Sequence, residues 1–119
     1  MANPNIVNVS AIYGNTGFLS ITTSAANVVV NPGGSGAVYK LNTLLVSNIN
    51  ASSSAAVTIE LNRSGTNTAI VKNVALATGG SLVAISKDSS LYLLEGDIIQ
   101  ASGNVASSLQ AVASWEQIT

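Results

Sequence analysis

The chain has 119 residues and a net charge of −1, a length that suits one domain able to bury its own core. It contains neither cysteine nor histidine, which excludes disulfides, thiolate or imidazole metal sites and the commonest general base. Charged residues make up 8% of the chain, against about 25% in ordinary soluble domains; Lys40, Arg63, Lys72 and Lys87 are too scattered for a nucleic-acid patch, and Tyr13, Phe18, Tyr39, Tyr92 and Trp115 are too few for a stacking platform.

Residues 1–17 read as an extended N-terminal arm. The start, MANPNIVNVS, has no basic n-region and no apolar h-region, so it does not read as a signal peptide. Ile6, Val7, Val9 and Ile12 are isolated apolar positions without a helical stripe. Such an arm has two uses: it closes an edge of its own sheet, or it crosses onto a neighbour.

Residues 18–119 read as a β-sandwich domain. FLSITTS, Phe18 to Ser24, is the first strand, and Val28-Val29-Val30 marks the next. The loop Asn31 to Gly36 lacks the Gly-Lys-Ser/Thr ending of a phosphate cradle, so it reads as a hairpin or inter-sheet connection. Ala37 to Ile49 is the longest strand candidate. Neither of its faces is cleanly apolar, which predicts a bulge midway. Ala56 to Asn62 alternates, with Val57, Ile59 and Leu61 inward. A turn at Arg63 to Asn67 leads to a strand over Ala69 to Leu76.

Ser81 to Ile99 carries the clearest turn chemistry, and it predicts an antiparallel meander of three short strands. Lys87 to Ser90 makes the first turn. Glu95-Gly96-Asp97 makes the second, with Gly96 free to take positive φ. The last strand, Leu109 to Ile118, puts Leu109, Ala111, Ala113 and Trp115 on one face and is long enough to pair in mid-sheet. About eight strands at roughly 8–12 residue spacing point to an all-β, antiparallel sandwich. A jelly-roll-like arrangement is favoured over an immunoglobulin-like one, whose Cys–Trp–Cys pattern is missing.

The candidate sites all have plainer readings. Glu95 and Asp97 could offer oxygens to calcium, but calcium takes about 6–8 ligands, and a turn in which Asp97 accepts backbone N–H bonds accounts for both acids. Glu60 and Glu116 would make a glycosidase pair only by chance of folding. Ser86-Lys87 reads as a strand end rather than a nucleophile with its base. Trp115 reads as core. The expectation is therefore no enzyme, no cofactor and no metal. Ser, Thr, Asn, Gly and Ala fill the positions that charges would occupy on a monomer, so much of the surface is expected to lie against other subunits.

Several stretches taken together resemble small virion structural proteins of tailed phages of marine bacteria, cyanophages above all. They are ANPNIVNVSAIYGNTG, VYKLNTLLVSNIN, AAVTIELNRSG, LVAISKDSSLYLLEGDII and LQAVASWEQI, and they span nearly the whole chain. The glycines of Gly33 to Gly36 depart from the pattern. The resemblance implies a particle component made in the host bacterial cytoplasm and located in the virion. Its first implication is a capsid decoration, or cement, protein on the outer head surface, a trimer bound to the major capsid protein. A neck, tail, baseplate or fibre part, or a host-glycan-binding module, is the alternative. Ile6, Val9, Ile12 and Tyr13 are the expected assembly contacts. Neither nucleic acid nor membrane is expected as a partner.

Overall fold

The computed structural model describes residues 8–119. Among these described residues nine strands follow one another: β1 (Ile12–Ile21), β2 (Ala26–Val30), β3 (Val38–Asn48), β4 (Ala55–Arg63), β5 (Thr66–Leu76), β6 (Ser81–Ile85), β7 (Leu91–Leu93), β8 (Ile98–Gly103) and β9 (Leu109–Ile118). They form two antiparallel sheets. Sheet A runs β1-β9-β3-β6, with β7 also on β3, and sheet B runs β2-β8-β4-β5. With β6 and β7 counted as one interrupted strand, each sheet has four positions. Successive strands then cross between sheets everywhere except at the β4–β5 hairpin. This is the order of a jelly-roll-like sandwich.

The core lies between the sheets. Leu41, Leu44, Val46, Leu93, Leu109 and Ala111 face it from sheet A, and Val29, Val57, Ile59, Ile99 and Ala101 face it from sheet B. Each large aliphatic side chain buried there contributes about 1.5–3 kcal/mol.

The expected bulge in β3 is real and explains its mixed faces. Register shifts between Leu41 and Thr43 against β9, leaving Asn42 as the extra residue. Before it, odd-numbered Tyr39 and Leu41 point inward. After it, even-numbered Leu44, Val46 and Asn48 do.

The first strand begins at Ile12, inside the segment expected to be the arm. Ile12 to Gly17 pair with Ala113 to Ile118 of β9 and are part of sheet A. Their strand character was hidden by Gly14 and Gly17, which lower β-propensity. Gly17 has a packing reason: a Cβ there would come within 3.0 Å of Trp115 Cη2, so its bare backbone lets the indole lie across β1. Trp115 stacks on Tyr39 from β3, centroids 6.2 Å apart.

The expected meander over Ser81 to Ile99 does not form. β6 and β7 each pair antiparallel with β3, against Leu44–Ser47 and Tyr39–Leu41 respectively, while β8 belongs to sheet B. The residues between β6 and β7 make one turn of 3-10 helix, Lys87–Ser89, closed by the Ser89 N–H on the Ser86 carbonyl. Such a turn displaces the chain sideways without reversing it, so β7 resumes the direction of β6. The reversal comes at Gly96, whose φ is 87°, and it carries the chain across to the other sheet.

The β4–β5 connection is tighter than expected. Ser64 and Gly65, at φ 54° and 82°, make a two-residue turn of the type that suits the twist of a hairpin.

Candidate assembly surface

At one end of the sandwich a buried polar cluster ties the two sheets together. The fully buried Asn31 donates from Nδ2 to the carbonyls of Ala37 and Leu93, and its Oδ1 accepts from Ser35 Oγ. Its backbone N–H donates to the Asp97 carbonyl, and its carbonyl accepts from the Gly96 N–H. Glu95 Oε2 accepts the Gly36 N–H at 3.0 Å, which fixes the glycine-rich loop as an inter-sheet connection. Asp97 accepts the Leu94 N–H at 2.8 Å and holds Arg63 through two bonds. Burial pushes the Asp97 carboxyl up, but the Arg63 guanidinium and the Leu94 N–H outweigh that and hold it below its ordinary value. The hydrogen bond to Asp97 in turn raises Arg63.

This cluster holds the chain where it crosses between the two sheets. The acids that could have served a calcium ion are committed to backbone N–H groups and a guanidinium, and Asp97 plays the part its turn position suggested. A cavity of about 210 Å³ lies against Arg63, Ser64 and Leu94 to Asp97. Among the described residues no three of His, Cys, Asp or Glu gather as a metal site would need. Glu60 and Glu116 sit on different sheets. Ser86 starts the 3-10 turn, where its N–H donates to Ser89 Oγ.

Of the expected assembly contacts, Ile6 lies outside the described residues. Val9 is half-buried. Ile12 and Tyr13 open β1 on the edge of sheet A and are 55% and 58% exposed. The segment before them is tied to the end of the chain, because the Ser10 and Ala11 N–H groups donate to the Thr119 carbonyl. These exposed apolar positions lie on a stretch, Asn8 to Gly17, that carries no charge.

A second apolar surface crosses the outer face of sheet A. Phe18 on β1 is opposite Val112 on β9, Val112 is opposite Leu45 on β3, and Leu45 is opposite Val83 on β6. All four side chains are exposed, Phe18 by 86%. Uncharged residues flank the row: Thr16, Ser114 and Thr43 on one side, Ser20, Gln110, Ser47 and Ser81 on the other. Sequence reasoning missed this row because it joins four strands distant in the chain. Its one local trace is Phe18, out of phase with the inward Leu19 and Ile21.

No family model matches the sequence, and no curated protein matches it. Solved structures do. A protein of Bacillus endospore appendages, described as disulfide-linked pili, aligns with a TM-score of 0.53 at 19% identity, covering 92% of this chain and 87% of that one. The capsid structure of Helicobacter pylori bacteriophage KHP30 aligns with a TM-score of 0.53 at 11% identity, over 94% and 90% of the two chains. A pentameric capsid protein from metagenomic phage sequences gives 0.44 at 20% identity, with 62% of its length covered. The first two likenesses are likenesses of fold: an antiparallel β-sandwich that also occurs in a phage shell and in a pilus.

Proposed function

We propose that the chain is a structural protein of a bacteriophage particle, a decoration protein seated on the outer surface of the head. Its partners in this reading are the major capsid protein and other copies of itself. The observation that carries the reading is the pair Ile12 and Tyr13, exposed at the start of β1 on the uncharged edge of sheet A. An edge strand offers unpaired N–H and C=O groups to a neighbouring chain, and apolar side chains beside it add burial. Val9, half-buried just before β1, extends that contact, and Ile6, outside the described residues, is included in it from the sequence alone. The sandwich fold shared with a phage capsid protein and the resemblance to virion proteins support the same reading.

The mechanism is linkage. A protein that binds the assembled shell, and not its separated subunits, stabilises the shell by its own binding free energy. Such work calls for complementary surface and not for reactive groups, which accords with a chain so poor in charge.

Copy number in purified virions, by quantitative mass spectrometry against the major capsid protein, tests this. A ratio near one, or a simple fraction of it, is expected. A handful of copies would overturn the head assignment in favour of a neck, tail or fibre part. Absence from the particle would overturn the virion reading altogether.

A further inference from the structure

We infer that the outer face of sheet A is a self-interface, covered in solution by a second copy of this chain related by a two-fold axis parallel to the strands. The axis passes between β3 and β9, the two central strands. A rotation about it places β9 of one copy over β3 of the other, and β1 over β6.

The register then matches unlike residues with suitable partners. Leu45 and Val112 stand opposite one another within a single sheet, so under this rotation Leu45 of one copy faces Val112 of the second, and the reverse. Phe18 faces the second copy's Val83. Lys40 and Glu116 are also direct neighbours across β3 and β9. The same rotation sets each Lys40 against the second copy's Glu116, which makes the charged end of the face self-complementary as well. A cation and an anion in register on the central pair, with an apolar pair further along the same strands, satisfy the reciprocity of an isologous contact, in which each residue meets the partner of its counterpart.

Shape and size agree. Phe18 projects beside a recess of about 360 Å³, lined by residues 16–20 and 110–112, above which the second copy's Val83 would stand. β1, β9 and β3, of 10, 10 and 11 residues, with the shorter β6 and β7 in line beside them, lie about 4.8 Å apart and give a face of the order of the ~800 Å² per partner that standard interfaces bury. Face-to-face sheets pack readily with strands within about 30° of alignment. The resemblance implied a trimer; a face that matches itself about one axis closes with two copies.

The test uses the full chain in sedimentation velocity across a concentration series, with Val112→Glu beside it. The intact chain is expected to be a dimer at micromolar concentration. Val112→Glu puts a charge against the second copy's Leu45 and is expected to weaken the dimer at least about 100-fold, with circular dichroism unchanged. Because the chain has no cysteine, single-cysteine variants give an independent reading. Leu45→Cys mixed with Val112→Cys is expected to form the mixed disulfide on oxidation, whereas either mixed with Val74→Cys on β5 is not. A chain monomeric at all concentrations, a trimer, or a dimer that neither responds to Val112→Glu nor cross-links between positions 45 and 112 would overturn the interface. If Val112→Glu does not fold, the cross-linking decides alone.

Discussion

Arg63 grips Asp97 with both arms of its guanidinium, Nε to Oδ1 at 2.8 Å and Nη2 to Oδ2 at 2.6 Å. Arg63 ends β4 in sheet B. Asp97 is buried in the turn by which β7 of sheet A gives way to β8 of sheet B. One ion pair thus pins the crossing between sheets, on the side where its carboxylate is shielded from water.

That pair sets an acid limit to stability. The Asp97 carboxyl is held below its ordinary value in the folded chain, so its contribution is present above the unfolded value of about 3.9 and is lost as pH falls through the lower folded value. Asp97→Asn is expected to lower stability by about 1–3 kcal/mol at neutral pH and to flatten the loss below about pH 4. Thermal melts of both proteins between neutral pH and acid would show it. Equal acid sensitivity in the two would mean that another group dominates.

Asn31 makes the cluster rigid. Its side chain spends three bonds on Ala37, Leu93 and Ser35 with no access to water. Asn31→Ala would leave two carbonyls and a hydroxyl without their partner at a buried site, and about 2–3 kcal/mol of destabilisation is expected. Urea unfolding gives the number. The same side chain should also govern local opening, so the amide of Gly96, which donates to the Asn31 carbonyl, should exchange faster in the variant. Unchanged exchange there would separate the side chain from the turn.

The two ends of this cluster were legible to different degrees. Gly96 at positive φ and Asp97 as an acceptor follow from a three-residue turn, which sequence carries locally. The partner Arg63 does not, because 34 residues separate it from Asp97. The meander failed for a related reason. Alternation in Ser81 to Ile85 and Leu91 to Leu93 identifies strands but not their neighbours, and a 3-10 turn of Lys-Asp-Ser has the same composition as a reversing turn. The bulge in β3 was readable because a phase change at Asn42 leaves both faces mixed. The apolar row was not, since each strand contributes one residue to it.

Gly17 is expected to resist substitution. A Cβ there meets the Trp115 ring at 3.0 and 3.2 Å, and the indole is held from the other side by Tyr39. Gly17→Val must push the ring or bend β1, at a cost of about 1–3 kcal/mol. Trp115 is the one tryptophan, so its fluorescence reports on the site directly. A shifted emission maximum together with a lowered melting temperature is the expected outcome. A normal spectrum with normal stability would show that the indole has room to move.

Truncation tests the expected arm, and the position of the cut decides the result. Removing residues 1–17 would delete the Ile12–Gly17 part of β1, which pairs with β9 along Ala113–Ile118. That leaves the second half of a central strand unpaired on one side and uncovers Trp115. The loss is of fold as well as of contact, so a failure of that protein to bind shells says nothing about the arm. Removing residues 1–9 keeps the Ser10 and Ala11 bonds to Thr119 and all of β1. This shorter cut is expected to leave the melting temperature within a few degrees of the intact chain, a shift of less than about 1 kcal/mol. On the proposed head-surface reading, binding to heads stripped of the protein should nevertheless fall at least about tenfold, as expected for about 1.4 kcal/mol or more of lost contact. Ile12→Ser with Tyr13→Ser in the full-length chain should weaken the same binding without unfolding β1, whose pairing is made by backbone. If the shortened chain and the double variant both bind stripped heads as tightly as the intact protein, the proposed shell contact is not at this edge.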